Sequence, residues 1–212
     1  HIIKTNFTTK KPSKHDVAEI IITESSDSFV ERKSNSRKLI SIGLGKKNKL
    51  TRRRLIKLIR KIVILAKQNK AEKIALNLED LKKIKIESEE LAELTATNLE
   101  LANYEFNIYK TPPKSGWNQI KQITIFGKIT PEIKLAWSDG QIIGDETNAC
   151  RTLANTPGGD MPPAILAEET RKLVLSLSKD CFSFRVWFGW IDHRIRRVPQ
   201  RSMRPWGIVF LK

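Results

Sequence analysis

The sequence predicts an α/β fold, a mixed or mostly parallel sheet flanked by helices. Three observations lead there: β-branched apolar runs of strand length, apolar residues recurring at three and four positions, and alternation of the two along the chain. Val17–Thr23 is a β-branched run, and the polar stretch Glu24–Ser28 reads as the loop that ends it. Lys38–Gly45 repeats the pattern as a short apolar run closed by glycines, which suits a strand buried on both faces. Over residues 50–69 the period changes. Leu55, Leu58, Ile59, Ile62, Val63, Leu65 and Ala66 line one face of a helix, and basic side chains cover the remainder. Lys73–Leu78 is again a strand, and strand–helix–strand order predicts a right-handed parallel crossover.

The second half continues the alternation. A helix is expected from Ser88 to about Asn103, with Ser88 as its N-cap and Glu89, Glu90 and Glu93 near its positive end. Pro112, Pro113, Ser115 and Gly116 mark a loop, and Gln122–Gly127 a further strand. Thr130-Pro131-Glu132 has the form of an N-cap with Pro in the first turn. The segment after it can run as helix to about Ala154, with Gly140 and Gly144 as weakening positions. Asn155–Asp160 is a break, and a new helix starts at Pro163.

Composition narrows the function classes. A hydrophobic fraction of 40 % allows a sizeable core. No apolar stretch approaches the roughly eighteen residues of a membrane span, and His1–Lys14 has no apolar segment of the secretory kind, so no membrane association is expected. With only Cys150 and Cys181, a disulfide framework is not expected and a reducing cytoplasm is the natural setting. The net charge of +16 is the extreme value and favours acidic partners. From Lys46 to Lys61 there are nine basic residues and no acidic one. Arg53, Arg54, Lys57, Arg60 and Lys61 therefore form a candidate nucleic-acid face acting by phosphate neutralisation. The competing reading is a solvated outer helix face, because no aromatic residues interleave to stack bases.

No catalytic constellation is legible. Gly43-Leu44-Gly45-Lys46-Lys47 sits between strand and helix, yet it lacks both the Walker spacing and the third glycine of a dinucleotide loop. His1, His15 and His193 are far apart, and no HExxH or paired CxxC occurs, so neither metal ligands nor cofactor-binding residues are assigned. Glu89-Glu90-Glu93 and Glu168-Glu169 begin helices, where the macrodipole accounts for them. Cys150 is expected to pack as a small hydrophobe on its helix.

One family resemblance stands out. Gly144–Pro157 is similar to the junction between the two domains of leucyl (cytosol) aminopeptidases. There a helix leads into R-x-L-x-N-x-P and a short loop, ending at the Pro that starts the catalytic domain's first helix. Arg151, Leu153, Asn155, Pro157 and Pro163 fall on that pattern, with Gly159 where the family usually has Asn. Upstream, Leu101–Lys110 resembles the family's L-x-x-Y-x-F-x-x-Y-K segment, and Ile42–Lys47 its G-L-G-K stretch. Tyr104 and Phe106 straddle a helix end and are expected to pack under the sheet.

The resemblance spans about residues 16–172. It implies a macro-domain-like sheet for residues 16–147, preceded by an N-terminal segment 1–15. Residues 148–172 would be the interdomain helix, loop and start of a truncated catalytic domain. It further implies a full-length parent that removes N-terminal amino acids from peptides, as a homo-hexamer with two divalent metals (Zn or Mn). The family's ligands lie in glycine-rich catalytic segments, including N-T-D-A-E-G-R, and no such segment occurs in this sequence. No activity is therefore expected from the chain alone. Residues 173–212 hold eight Lys or Arg against two Asp, with three of the five tryptophans. This tail is read as a truncated or frame-shifted stretch, with a genuine extension as the alternative. The second functional reading is a basic module that binds nucleic acid through the Lys46–Lys61 face and the tail.

Overall fold

The computed structural model describes residues 2–12, 17–23, 28–32, 38–43, 51–81, 86–114 and 116–177. It divides into two units, His1–Pro157 and Gly158–Lys212. Among the described residues the first unit is a six-stranded sheet with three α-helices and a short 3-10 helix, Leu78–Leu81. Its strands are β1 Lys4–Thr8, β2 Ala18–Thr23, β3 Ser28–Arg32, β4 Lys38–Gly43, β5 Lys73–Asn77 and β6 Gln122–Phe126. Their spatial order is β1-β6-β5-β2-β4-β3, all parallel except β3, which runs antiparallel to β4 at one edge. The helices are α1 Arg52–Gln68, α2 Ser88–Asn103 and α3 Pro131–Asn155. In the second unit α4 spans Pro163–Leu177, where Arg171 grips Glu168 through two hydrogen bonds and Lys172 pairs with Glu169. Among the described residues no helix is long and apolar enough to cross a membrane.

The sheet register sorts the strand residues onto two unlike faces. Ile20 lies opposite both Ile40 and Leu76, and Leu76 lies opposite Ile125, which in turn faces Phe7. These residues share one face, because side chains alternate along a strand. That face joins Leu55, Ile59 and Ile62 of α1, Leu91, Ala96 and Leu99 of α2, and Ile133 and Trp137 of α3 in one core. The opposite face carries Glu19, Ser41, Ala75 and Thr124, all buried but outside that core. The crossovers β4–α1–β5 and β5–α2–β6 both step toward β1, so right-handed connections place their helices on the same side. The β1–β2 connection steps the other way. Its Lys11 accordingly meets Glu19 on the opposite face.

Local chemistry explains the helix boundaries. Thr51 caps α1 by accepting a hydrogen bond from the Arg54 amide at 3.3 Å. Thr130 does the same for α3 at 3.4 Å, with Pro131 in the first turn as its spacing predicts. Ser88 differs from expectation. It is the first helical residue rather than the cap, which is Glu87, and no side-chain oxygen caps α2. The expected helix over residues 50–69 is α1, and its buried residues are the ones its period selects.

Two strands were not legible. β3 begins at Ser28, inside the stretch read as loop, and pairs with β4 along its length. β1 lies in the N-terminal segment and pairs with β6. Side chains from two helices fix β1 in place. Trp137 donates its indole N–H to Thr5 Oγ1 at 3.1 Å and meets the Phe7 ring edge-on at 6.3 Å. Gln141 donates to the Ile3 carbonyl at 2.7 Å and to Glu100 Oε1 at 3.0 Å. Glu100 Oε1 also accepts the Ile3 amide at 2.9 Å.

Glu100 is buried, and burial pushes its carboxyl above the usual carboxylate range; Gln141 and the Ile3 amide oppose the shift, while Asp145 adds to it. Between the ordinary value and the raised one, the folded chain holds a proton that the unfolded chain has lost. The contribution of Glu100 to stability is thus fully present below the ordinary carboxylate value and falls as pH rises through the raised one. Comparing thermal midpoints of the wild type and Glu100→Gln from pH 7 down to pH 4 isolates this group. The wild type should gain on the variant as pH falls. A constant difference across the range would refute the assignment.

Candidate interdomain junction

The residues of the two family-like motifs meet where α2 ends and the last turns of α3 run beside it. A helix leaves its final carbonyls without intrahelical partners, and cations near that end are favoured. At the end of α2 the neighbours supply the donors. Asn148 Nδ2 donates to the Glu100 carbonyl at 3.0 Å, and Arg151 to the Leu101 carbonyl at 3.0 Å. Lys67 Nζ at the end of α1 donates to the Asn103 carbonyl at 2.9 Å. Close approach of α3 to α2 makes these reaches possible. It rests on Gly140 and Gly144, where an added Cβ would stand 2.4 Å from the Glu93 carbonyl oxygen and 2.6 Å from Glu100 Cβ.

Tyr104, the first residue after α2, is the centre of the cluster. Its ring lies under the Arg151 guanidinium, 4.1 Å from the ring centroid, and its hydroxyl is 3.1 Å from Thr152 Oγ1. Asn155 Nδ2 donates to the same hydroxyl at 3.5 Å, and Arg151 is held in turn by Asn148 Oδ1 at 2.9 Å. Tyr104 thus packs on α3 and not under the sheet, as its position at a helix end had suggested. Phe106 instead meets Tyr109, with ring centroids 5.8 Å apart.

Two further side chains, not singled out in the sequence, complete the arrangement. Asn103 binds Ile120 in both directions, Nδ2 to the carbonyl at 2.9 Å and Oδ1 from the amide at 3.0 Å, and so positions the entry to β6. Burial would raise the Glu105 carboxyl, but hydrogen bonds from Lys67 at 2.7 Å and from Asn107 at 3.1 Å hold it below the usual range. A cavity of about 200 Å³ opens here, lined by Glu100, Asn103, Tyr104, Glu105, Gln119, Asp145 and Asn148. Only the i,i+3 and i,i+4 recurrence of polar residues on α3 (Asn148, Arg151, Thr152, Asn155) hinted at a second packed face.

Of the motif residues, the structure gathers Arg151 and Asn155 on Tyr104. Leu153 lends its carbonyl to the amide of Thr156, the C-cap of α3, at 3.3 Å, and Pro157 stands exposed just beyond. Pro163 is the first residue of α4, in the second unit. Arg53, Arg54, Lys57, Arg60 and Lys61 are all exposed along α1; Arg60 Nε donates to Asn98 Oδ1 at 3.3 Å. Cys150 is exposed, contrary to its expected packing, because it lies on the side of α3 away from α2. The glycine-rich stretch 44–47, the three histidines and the tail from residue 178 lie outside the described residues.

Among the described residues no group of three or more His, Cys, Asp or Glu side chains is placed to hold a metal ion. The acidic pairs at helix starts have other uses: Glu90 pairs with Arg52 at 3.1 Å, and Glu168 and Glu169 pair within α4.

Residues 22–113 match the family model described as "Cytosol aminopeptidase family, N-terminal domain". A tomato leucine aminopeptidase mutant is similar in structure, with a TM-score of 0.67 and 18% identity over 82% of this chain and 42% of that one. The bottromycin maturation enzyme BotP superposes with a TM-score of 0.62 and 19% identity, over 77% of this chain and 38% of that one. BotP in complex with Mn gives the same TM-score and identity, over 77% and 37%. This chain spans about two fifths of the length of these structures, and at such identity they show a shared fold. The Tyr104 segment lies inside the matched stretch, and residues 22–113 of this chain are similar to the N-terminal domain of the cytosol aminopeptidase family.

Proposed function

We propose that this chain is the non-catalytic, N-terminal part of a leucyl-aminopeptidase-type metallo-exopeptidase. A full-length parent would remove N-terminal amino acids from peptides in the cytoplasm, as a homo-hexamer. The observation that carries this reading is the Tyr104 cluster. Residues of the junction motif, Arg151 and Asn155, close on a residue of the upstream motif nearly fifty positions earlier. Such a contact gives the domain a mechanical role, in which the end of α3 is fixed against α2 before the chain passes to Gly158 and Pro163. On this reading the boundary drawn at residue 147 cuts through a helix whose last turns serve the N-terminal domain.

In the parent, two divalent metals, Zn or Mn, would polarise the scissile carbonyl and activate a water. The described residues do not fit that group, since no ligand cluster is present among them, and no step of the reaction is assigned to this chain. Metal affinity requires the correct ligands in fixed geometry. Purified chain with added Zn²⁺ or Mn²⁺ should therefore release no chromophore from a leucyl-anilide substrate. A rate proportional to chain concentration and abolished by chelator would overturn the reading.

A further inference from the structure

We propose that the cavity beside the end of α2 binds an extended organic cation, a linear diamine or polyamine, as a site separate from any peptide-hydrolysing centre. The cavity, of about 200 Å³, has the carboxylates of Glu100, Glu105 and Asp145 in its wall and neither lysine nor arginine. In a chain of net charge +16 this is a local reversal of sign. The helix end adds to it. Asn103 and Tyr104, also in the wall, are the last residue and the C-cap of α2, at the negative pole of its dipole.

The three carboxylates are not equivalent. Glu105 is held by Lys67 and Asn107, so its charge is already compensated. Glu100 is only 3 % exposed, and both of its side-chain hydrogen bonds among the described residues, from the Ile3 amide and from Gln141, go to Oε1. That leaves Oε2 to the cavity. A buried carboxylate oxygen without a donor is costly, and a donor that itself carries positive charge relieves it best. Burial raises the Glu100 carboxyl and Asp145 adds to the rise, as expected where like charges crowd one space.

The ligand class follows from spacing and size. A metal ion needs its ligands around one point, and among the described residues no three His, Cys, Asp or Glu side chains are placed to hold one. Carboxylates spread around a space are bridged instead by a flexible chain with an ammonium at each end. The volume is that of about six or seven waters, room for a short diamine. The ring of Tyr104 offers an apolar wall to its methylenes. A free amino acid fits poorly, because its carboxylate would meet three others and no cation.

Isothermal titration calorimetry of the full chain with putrescine tests the assignment. Binding should weaken about tenfold or more in Glu100→Gln and in Asp145→Asn, each of which removes a charge-assisted hydrogen bond. Glu146→Gln removes an exposed carboxylate of α3 outside the cavity wall and should bind as the wild type does, which separates a site from a change in net charge. Glu100 also holds β1, so Gln119→Arg serves as the variant that spares that contact. It sets a tethered guanidinium in the cavity, and it should abolish putrescine binding while the thermal midpoint holds or rises. No binding of putrescine to the wild type, weakening in Glu146→Gln equal to that in Asp145→Asn, or undiminished binding or a lowered midpoint in Gln119→Arg would overturn the proposal. So would butylamine or leucine binding as tightly as putrescine, or Mn²⁺ binding that the same variants abolish. None of these outcomes bears on the aminopeptidase reading, whose anilide assay is independent.

Discussion

Gly140→Ala should destabilise the protein by about 2 kcal/mol or more, although the same exchange in an exposed helix stabilises by up to about 1 kcal/mol. The added methyl would stand 2.4 Å from the Glu93 carbonyl oxygen, 2.9 Å from Glu93 Cα and 3.0 Å from Ala96 Cβ. Two of these three obstacles are backbone of α2, which cannot swing aside as a side chain would. Helix α3 must instead draw back. The bond from Thr97 Oγ1 to the Gly140 carbonyl, 3.0 Å long, would then stretch, as would those that tie Asn148 and Arg151 to the end of α2. For a unit of this size the thermal midpoint should fall by roughly 4–8 °C. A midpoint unchanged or raised would mean that the two helices do not approach as closely as described. The sign of the effect decides the matter, which makes this substitution more informative than its size alone.

Ile59→Ala and Ile62→Ala should each cost on the order of 2–5 kcal/mol, from lost burial and the cavity left behind. Both side chains are fully buried in the core between α1 and the sheet. The double exchange Arg53→Gln/Arg54→Gln, one or two turns away on the exposed face of the same helix, should change stability by less than about 1 kcal/mol. Denaturant titrations of the three variants measure both quantities. Equal effects from the buried and the exposed substitutions would contradict the orientation of α1.

The parts of the fold that could be read from the sequence are those where burial imposes a period. In α1 one face is apolar and the other basic, and six of the seven residues selected by spacing are buried, Leu65 being half-buried. β2, β4, β5 and β6 are apolar because they lie inside the sheet or are covered on the core side. β1 and β3 escaped notice for the opposite reason. Both are edge strands, and an edge strand with one free side can be polar; Lys4-Thr5-Asn6-Phe7-Thr8 contains a single large apolar residue.

The contact between Tyr104 and the end of α3 was not legible in the sequence, which offered only the family-like stretches on either side of it. Arg151, Asn155 and Tyr104 could be placed in the right order along the chain, yet nothing in their spacing says that the guanidinium covers the ring. Gly140 and Gly144 illustrate the limit of propensity. Each weakens an isolated helix, yet here they sit inside an unbroken one because tertiary packing needs their missing side chains. Cys150 was misplaced because α3 is not buried all round: its side away from α2 also exposes Leu135, Ile142 and Ile143.

The position of β1 has a consequence for how the chain is made. Lys4–Thr8 emerges from the ribosome before the strand it must join, Gln122–Phe126, which follows more than a hundred residues later. At about 5–20 residues per second the first strand waits on the order of ten seconds for its partner. Trp137 and Gln141, which secure it, arrive later still. An apolar segment left unpaired for so long would be an aggregation hazard, whereas this one is mostly polar and keeps only Phe7 to be covered at the end. The composition that conceals the strand from a reader of the sequence is also what keeps it safe until the sheet can close.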